Sequence, residues 1–283
     1  MSAMPGHAAD PTGEVKGSTL ERVRALILDA SGIVLGDNKA SMVRARLSKR
    51  LAATGHGCIE AYLDFVERAD DGTERNNLVS AMTTNVTHFF REAHHFDQLR
   101  RIGLDARATG QKLNIWSAGC SSGQEPFSIA MTLADAGFPP RDVRILATDI
   151  DSHILALASR AIYPRREIQA IPPGHRAKSV LVEGEDARIA PVLRSMVDFR
   201  LTNLVGDWSF STPFDVIFCR NVAIYFDPPT QAQLWSRMVG ALRPGGWLFV
   251  GHSERLPDRL LTQVRYAGQT TYKKIKAEGG TAR

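Results

Sequence analysis

The sequence lacks the features of a membrane or secreted protein. Its 283 residues include only three cysteines, Cys58, Cys120 and Cys219, whose spacing fits neither a disulfide framework nor a metal cluster. No apolar run approaches the roughly 18 to 20 residues that cross a bilayer. Residues 1–18 lack the basic and apolar stretches of a signal peptide. We therefore expect a cytoplasmic protein without membrane insertion, and we expect residues 1–18 and 277–283 to be disordered.

Composition narrows the class of protein only slightly. Hydrophobic residues make up 43% and charged residues 23% of the chain, as in soluble globular proteins. The formal net charge of +5 points to an acidic partner, which leaves nucleic acid, a membrane surface or an acidic protein open. The sequence shows no internal repeat.

The amino-terminal part has the periodicity of amphipathic helices. Leu20, Val23 and Ile27 recur at helical spacing after Ser18 and Thr19, either of which can cap a helix. Three further helices are centred on residues 43–51, 62–66 and 78–82. This pattern predicts an all-α domain over residues 19–92, followed by a linker over residues 93–110.

The remainder alternates short apolar runs with helical segments. The runs are residues 113–117, 143–147, 214–219 and 247–250. Buried strands that alternate with helices indicate a doubly wound α/β domain with a parallel sheet, here over residues 111–276. A closing pair of strands is expected near Val264 and residues 270–275. The alternating valines between about 176 and 202 predict a small β subdomain.

Two loops of this domain have the features of a nucleotide site. Residues 118–123 follow the first strand and contain Gly119 and Gly123, and Asp149 ends the second strand. Ligands of such sheets lie beyond the carboxyl ends of the strands. Glycines allow a close backbone approach to an adenosyl group. Asp149 is placed to accept hydrogen bonds from the ribose hydroxyls.

The same loop argues against a dinucleotide. It lacks the Gly-x-Gly-x-x-Gly fingerprint, so pyrophosphate binding is poorly supported. The carboxylate of Glu125 would repel a pyrophosphate but suits a cationic cofactor, such as a sulfonium that also carries an amino group.

Five segments, in unbroken order, resemble the chemotaxis receptor glutamate O-methyltransferase family. They are residues 84–92, 116–126, 147–151, 218–226 and 251–254, within a similarity that runs from about 19 to 275. Two positions depart from the family pattern: Gln124 stands where a glutamate is usual, and Phe127 where tyrosine is frequent. The resemblance implies a Rossmann-like S-adenosylmethionine methyltransferase domain with a small antiparallel β subdomain, preceded by an all-α domain.

The resemblance also implies a set of site residues. Those expected to bind S-adenosylmethionine, or its product S-adenosylhomocysteine, are Asn85, Thr87, Arg91, Glu125, Asp149, Asn203, Leu204, Arg220 and Asn221. Arg91 and Tyr225 are the expected catalytic residues. A glutamate side chain has a pKa of about 4.3 and is ionised at neutral pH, so no general base is needed. The enzyme must align and desolvate the carboxylate. Arg91 can hold it by a bidentate contact.

A basic helix is the expected docking surface. Receptors of the family present glutamate-rich helices, and Arg46, Lys49 and Arg50 form part of a cationic stripe that would attract them. The expected partner is therefore the cytoplasmic helical domain of a chemotaxis receptor. Relatives with a receptor tether bind a carboxy-terminal pentapeptide at the β subdomain. The short turn at residues 183–186 predicts that this chain needs no tether.

Other functions remain possible on sequence grounds. A nucleic-acid methyltransferase would also be basic, and residues 227–230 (DPPT) resemble the (Asn/Asp)-Pro-Pro-aromatic motif. They end in threonine and do not directly follow a strand, so we expect them to start a helix and we expect no nucleic-acid substrate. A cofactor-binding sensor without turnover is the second alternative. His94 and His95 are adjacent on a helix, where side chains point apart, and we predict no metal site.

Overall fold

The computed structural model describes residues 17–68 and 72–276, and the chain divides into two compact units between Thr83 and Thr84. Residues 1–16 of the predicted leader and the predicted tail at 277–283 lie outside the described residues. Gly17 and Ser18 belong to the first helix, which begins earlier than expected. Among the described residues, no helix has both the length and the apolar character that a bilayer crossing requires.

The first unit is the predicted all-α domain. Its helices are α1 (Gly17–Ser31), α2 (Ala40–Thr54), α3 (Ile59–Arg68) and α4 (Thr73–Met82). Their apolar residues, three or four positions apart, form one buried core that includes Val23, Ile27, Val43, Leu47, Leu63 and Leu78. Gly55 ends α2 with a left-handed conformation (φ 72°) and donates its N–H to the carbonyl of Leu51.

The linker predicted over residues 93–110 is wrong. Residues His94–Ala108 form a helix, α5, that belongs to the second unit. Its buried residues Phe96, Leu99 and Ile102 join the core of that unit. Gly103 lies so close to the next helix that a Cβ there would stand 2.8 Å from a methyl group of Leu133. The helix therefore covers one face of the sheet, and the all-α domain ends near residue 83 rather than 92.

The second unit is the predicted doubly wound domain. Its elements after α5 are β1 (Leu113–Ala118), α6 (Gln124–Asp135), β2 (Val143–Asp149), α7 (Ser152–Arg160), β3 (Ile162–Pro164), α8 (Pro173–Ser179), β4 (Val180–Glu183), β5 (Asp186–Ile189), α9 (Pro191–Arg194), β6 (Val197–Leu201), β7 (Phe214–Cys219), α10 (Pro228–Ala241), β8 (Leu242–Val250), β9 (Val264–Gly268) and β10 (Thr271–Lys274). The main sheet has the order β6-β2-β1-β7-β8-β10-β9. The first five of these strands are parallel, and β10 is antiparallel to both neighbours.

The central strands are buried on both faces, which explains their nearly continuous apolar sequence. Ile115 on β1, Val216 and Phe218 on β7, and Phe249 on β8 are fully buried. In the register of the sheet, Ser117 pairs with Ala147 on β2 and with Phe218 on β7. The closing antiparallel pair, β9 and β10, is confirmed.

The small β subdomain differs from its predicted bounds. A separate antiparallel sheet of order β3-β5-β4 begins at Ile162, whereas β6, which was assigned to the subdomain, lies in the main sheet beside β2. As an edge strand, β6 exposes Asp198 and Arg200 while Val197 and Phe199 pack on the core. Because exposed and packed residues alternate along β6, its sequence has the same pattern as a strand of an antiparallel sheet with one exposed face.

The Asp-Pro-Pro-Thr segment is a helix start, as expected. Asp227 caps α10 by accepting a hydrogen bond from the N–H of Thr230 (2.8 Å), and Pro228 occupies the first helical position. The segment thus serves a structural role at the start of α10.

Candidate active site

The site lies where the strand order reverses, between β1 and β7, at the carboxyl ends of the strands. Gly119, after β1, meets Val222, after β7, so closely that a Cβ at Gly119 would overlap the Val222 side chain. Gly119 (φ 78°) and Gly123 (φ 92°) both adopt left-handed conformations that favour glycine. These conformations explain why glycine stands at both ends of the loop.

Asp149 holds this loop in place. One carboxylate oxygen accepts the N–H of Ser121 (2.8 Å), and the other accepts the N–H of Asp151 (3.0 Å). The Asp149 side chain is nearly buried, and burial raises the pKa of its carboxyl group. Each oxygen retains a second lone pair, so the predicted ribose contact is compatible with these bonds.

Glu125, in the first turn of α6, forms part of a buried ionic cluster. Its carboxylate accepts a hydrogen bond from the Ser117 hydroxyl (2.7 Å) and one from Arg220 (3.2 Å). Arg220, at 2% side-chain exposure, also donates to the backbone carbonyl of Arg91 and lies 3.5 Å from Glu92. Burial raises the pKa of Glu125, and the charge of Arg220 opposes that shift.

Arg220 is held by several site residues. Its guanidinium pairs with Glu125 and Glu92 and donates to the Arg91 carbonyl, while its buried Nε has no hydrogen-bond partner among the described residues. Arg220 therefore sets the geometry of other site residues. The expected cofactor contact stays a prediction. Only the sequence segment around Arg220 indicated that this position belongs to the site. Its ion-pair partners lie 95 and 128 residues away along the chain (220 − 125 and 220 − 92), so no local pattern could identify them.

The cluster is suited to a cationic cofactor that carries an amino group. It sets two carboxylates, Glu92 and Glu125, against one buried guanidinium, Arg220. The buried Oδ1 of Asn221 has no hydrogen-bond partner among the described residues. Glu92 Oε2, by contrast, lies 3.5 Å from both Arg220 and His95 Nδ1. Buried acceptors without donors are rare. The Asn221 oxygen is therefore available to a donor of a positively charged ligand.

Backbone strain is concentrated at this site. Phe90, Glu92, Ser121 and Asn221 have φ values between 50° and 59°, which non-glycine residues seldom adopt. Such conformations cost about 1 to 3 kcal/mol each and persist where the surroundings impose them, often at functional sites. Two of the four flank Arg91, so its backbone is held on both sides.

The segment that precedes Arg91 is attached to two of the loops. Asn85 donates to Asp151 (2.9 Å), and its carbonyl accepts the Ser121 hydroxyl (3.2 Å). Arg91 donates to the carbonyl of Val86 (3.1 Å). Thr87 is half-buried beside them. Asn85 therefore contacts the loops after β1 and β2 directly.

Asn203 and Leu204 lie in the loop after β6. The N–H of Thr202 donates to the carbonyl of Asp149 (2.9 Å), so this loop adjoins the end of β2. Asn203 accepts the N–H of Val205 (3.0 Å), and Leu204 is buried. The predicted adenine contacts are therefore on the same edge of the sheet as the predicted ribose contact.

Arg237 of α10 supports that loop and was not predicted. Its guanidinium donates to the carbonyls of Leu204 (3.1 Å) and Gly206 (2.7 Å) and stands 4.0 Å above the ring of Trp208. Arginine commonly stacks in this way on aromatic faces. No local sequence signal points to this role, because the loop lies about thirty residues before the arginine.

Tyr225 ends a short 3-10 helix, Ala223–Tyr225, that follows β7. The side chain is half-buried, and its hydroxyl makes no hydrogen bond within the described ranges. The structure therefore leaves this hydroxyl available at the same edge of the sheet as Asn221.

Glu92 is a site residue that the sequence did not single out, although it follows Arg91 within a matching segment. One of its oxygens lies 3.3 Å from both the N–H and the Nδ1 of His252, and the other lies 3.5 Å from Arg220. Glu92 thus connects the loop after β8 with the residue that follows β7.

The expectation that His94 and His95 diverge is wrong. Their ring centroids are 4.1 Å apart, because both rings turn toward the Thr270 hydroxyl, at 3.3 and 2.8 Å. Together with Glu92 they form a group of three residues, each of which could offer one ligand atom to a metal ion. Both imidazoles lie within hydrogen-bond distance of the Thr270 hydroxyl, which gives each ring a protein partner. The absence of a metal stays a prediction.

Two of the three predicted docking residues are engaged within the helical domain. Arg50 forms an ion pair with the buried Glu74 (2.6 Å), and Arg46 donates to the carbonyls of Ala81 (3.2 Å) and Thr83 (2.6 Å). Both side chains are half-buried, and their part in receptor docking stays a prediction. Lys49 is exposed.

The sheet order, the two left-handed glycines and the acidic residue at the end of β2 define an S-adenosylmethionine-dependent methyltransferase. Two family models match the chain: "CheR methyltransferase, SAM binding domain" over residues 85–273 and "CheR methyltransferase, all-alpha domain" over residues 18–83. The chain belongs to the CheR methyltransferase family. Its cofactor is S-adenosylmethionine.

Relatives match over nearly their whole length. Chemotaxis protein methyltransferase 2 of Pseudomonas aeruginosa is 40% identical over 259 residues, covering 89% of this chain and 91% of that protein. The chemotaxis protein methyltransferase of Salmonella typhimurium is 40% identical over 258 residues, covering 89% and 88%. The Escherichia coli protein of the same name is 39% identical over 258 residues with the same coverage. The expected family is confirmed.

Proposed function

We propose that this methyltransferase esterifies glutamate side chains of chemotaxis receptors. The observation that carries the proposal is the placement of Arg91. Its backbone is fixed between two left-handed residues, and its charge is close enough to lower the pKa of Glu125 against the effect of burial. A guanidinium held in this way suits an acceptor that carries a negative charge. The relatives are named chemotaxis protein methyltransferases, which supports a receptor as substrate.

The chain's own residues would bind and orient the reactants. S-adenosylmethionine, when bound, supplies a sulfonium methyl group that a carboxylate oxygen can displace, with the electron pair of the broken carbon–sulfur bond passing to sulfur. Arg91 would hold the acceptor carboxylate by paired N–H bonds. Tyr225 would donate one further hydrogen bond. Because a carboxylate is already ionised at neutral pH, neither residue has to remove a proton.

Asp149 and Asn221 would hold the cofactor. Asp149 offers carboxylate oxygens to the ribose, and Asn221 offers its unpartnered Oδ1 to the amino group. Asn203 and Leu204 would flank the base from the loop after β6. These contacts would fix the methyl group relative to Arg91, which is the alignment that the displacement requires.

The proposed receptor-facing charges are the exposed cations of α2 and the turn before it, Lys39, Arg44 and Lys49. An acidic receptor helix would be attracted to them, and the attraction would weaken with salt. We further propose that no pentapeptide tether is required. The support is the two-residue turn between β4 and β5, with Gly184 at φ 65°. Measurable calorimetric binding of such a pentapeptide would contradict that part.

The experiment supplies methyl-labelled S-adenosylmethionine and receptor-containing membranes, and then treats the labelled product with mild alkali. A glutamyl methyl ester releases volatile methanol, and this is the expected result. Alkali-stable label in protein, or label in added nucleic acid, would refute the proposal.

A variant pair ties the reaction to Arg91. Arg91→Lys keeps the charge but loses the paired N–H geometry. We expect it to slow ester formation about 10- to 100-fold at saturating cofactor, the range set by a hydrogen bond between charged groups. Arg101→Lys, on an exposed face of α5, is the matched control and should retain the wild-type rate.

A further inference from the structure

Glu254 is a buried carboxylate whose partners are all backbone N–H groups. Its two oxygens accept hydrogen bonds from Gly251 (2.6 Å), Asn221 (2.8 Å), Val222 (3.0 Å) and Ala223 (2.8 Å). The residue is 5% exposed, and it makes no ion pair within the described residues. Successive N–H groups that converge on one anion form a nest that compensates its charge.

These four bonds join two loops of the site. Gly251 follows β8, whereas residues 221–223 follow β7. The joint is tight: a Cβ at Gly251 would stand 2.8 Å from both the Asn221 nitrogen and a Glu254 oxygen. Glycine at 251 and glutamate at 254 therefore act as one structural unit.

The loop that Glu254 holds carries several groups of the site. Arg220 precedes it, Asn221 adopts its left-handed conformation within it (φ 59°), and Tyr225 ends the short helix that follows. Val222 packs directly against Gly119 of the cofactor loop. A shift of this loop would therefore move the cofactor loop and the Tyr225 hydroxyl together.

We propose that Glu254 is a positioning residue, which sets the site for cofactor binding by fixing the backbone of residues 221–223. It acts through these residues and does not itself contact the reacting groups. The inference concerns the cofactor site, so it depends on the methyltransferase class and stands whether or not the acceptor is a glutamate.

The test compares Glu254→Gln with Asp215→Asn. An amide presents an N–H₂ group to backbone donors on one side, so two of the four bonds must fail in either orientation of the glutamine. Asp215 is the control, because it is similarly buried but lies at the opposite end of β7. It accepts bonds from Gln111 (2.8 Å) and the N–H of Asn114 (2.7 Å), and it also pairs with Arg243.

We measure the dissociation constant of S-adenosylhomocysteine by calorimetry, well below the melting temperature of each variant. Glu254→Gln should weaken binding about tenfold or more, whereas Asp215→Asn should lower the melting temperature but leave the constant within about twofold of wild type. Glu254→Gln that melts earlier yet binds normally would overturn the proposal, since its role would then be structural only.

A second pair of variants covers the case in which Glu254→Gln does not fold. Gly251→Ala keeps the carboxylate but forces the two loops apart, and it should also weaken binding. Asn221→Gly retains the left-handed backbone but removes the side chain. The loss of binding free energy in the Gly251→Ala, Asn221→Gly double variant should be smaller than the sum of the losses in the two single variants. Full additivity would contradict action through this loop. Receptor methylation is not used here, so a failure of the proposed acceptor cannot be mistaken for a failure of this inference.

Discussion

Arg220 and Glu125 form an ion pair in the interior of the methyltransferase unit, with 3.2 Å between Nη1 and Oε2 and side-chain exposures of only 2% and 13%. Breaking a buried pair leaves one charge without compensation and costs about 3 to 5 kcal/mol. We predict that Arg220→Met lowers the free energy of unfolding by about this amount, as measured by urea denaturation.

Two further variants test the cause of that loss. Arg220→Met with Glu125→Gln should recover part of the stability, because the uncompensated carboxylate is gone. Lys178→Met removes an exposed pair with Asp135 and should change stability by less than about 1 kcal/mol. If the double variant is no more stable than Arg220→Met, the burial of an unpaired charge is not the cause of the stability loss in Arg220→Met.

Asp149 should distinguish cofactors by their ribose hydroxyls. We predict that Asp149→Asn weakens S-adenosylhomocysteine binding about 10- to 100-fold, because hydrogen bonds to a charged acceptor contribute about 1.5 to 3 kcal/mol. Calorimetry with the 2′,3′-dideoxy analogue separates this effect from damage to the loop. Wild type should lose affinity for the analogue, and the variant should not. The control is Asp198→Asn, an exposed aspartate of β6.

His95 should make stability depend on pH. Burial, with further contributions from Arg220 and His94, lowers the pKa of His95 from its ordinary value of 6.5 to about 3. The unfolded chain therefore binds a proton below pH 6.5 that the folded chain does not. The free energy of unfolding therefore has its full His95 contribution above pH 6.5. This contribution falls by at most about 1.4 kcal/mol per pH unit as the pH is lowered from 6.5 toward 3.

His95→Phe should remove this component. The ring lies among Phe218 and Phe249, so an aromatic replacement fits the surroundings. We expect the variant to show a weaker decline in unfolding free energy between pH 7 and pH 5 than wild type, measured in urea. Parallel curves for the two proteins would show that His95 is not the titrating group.

The helical domain offers a test of the ion pair between Arg50 and Glu74. Arg50→Ala leaves the buried Glu74 without its guanidinium and should cost about 3 kcal/mol or more of unfolding free energy. Lys49→Ala, one position earlier and exposed, should change stability by less than about 0.5 kcal/mol. Thermal unfolding of both variants measures this difference. Equal losses of unfolding free energy in the two variants would mean that the Arg50–Glu74 pair does not contribute to stability.

The positions of Gly119, Gly123 and Asp149 were predictable because their signals are local. Gly119 and Asp149 stand at the ends of apolar strands and Gly123 directly precedes a helix, and the conformation of a loop glycine depends on its immediate neighbours. The helices were predictable for the same reason, since their periodicity lies within one turn or two. Where periodicity misled, at β6, an edge strand and an antiparallel strand share the same alternation.

Local patterns along the chain were sufficient to assign the classes of the two domains, the parallel strands with their loops, and the family to which the chain belongs. The roles of the charged residues follow only from the packing of segments that are distant in the sequence. Arg50 and Arg220 are paired inside the protein because Glu74 and Glu125 face them, 24 and 95 residues away along the chain. Glu254 likewise meets its four N–H partners only when β7 and β8 lie side by side. Such pairings depend on which surfaces pack together, and local patterns do not encode that choice.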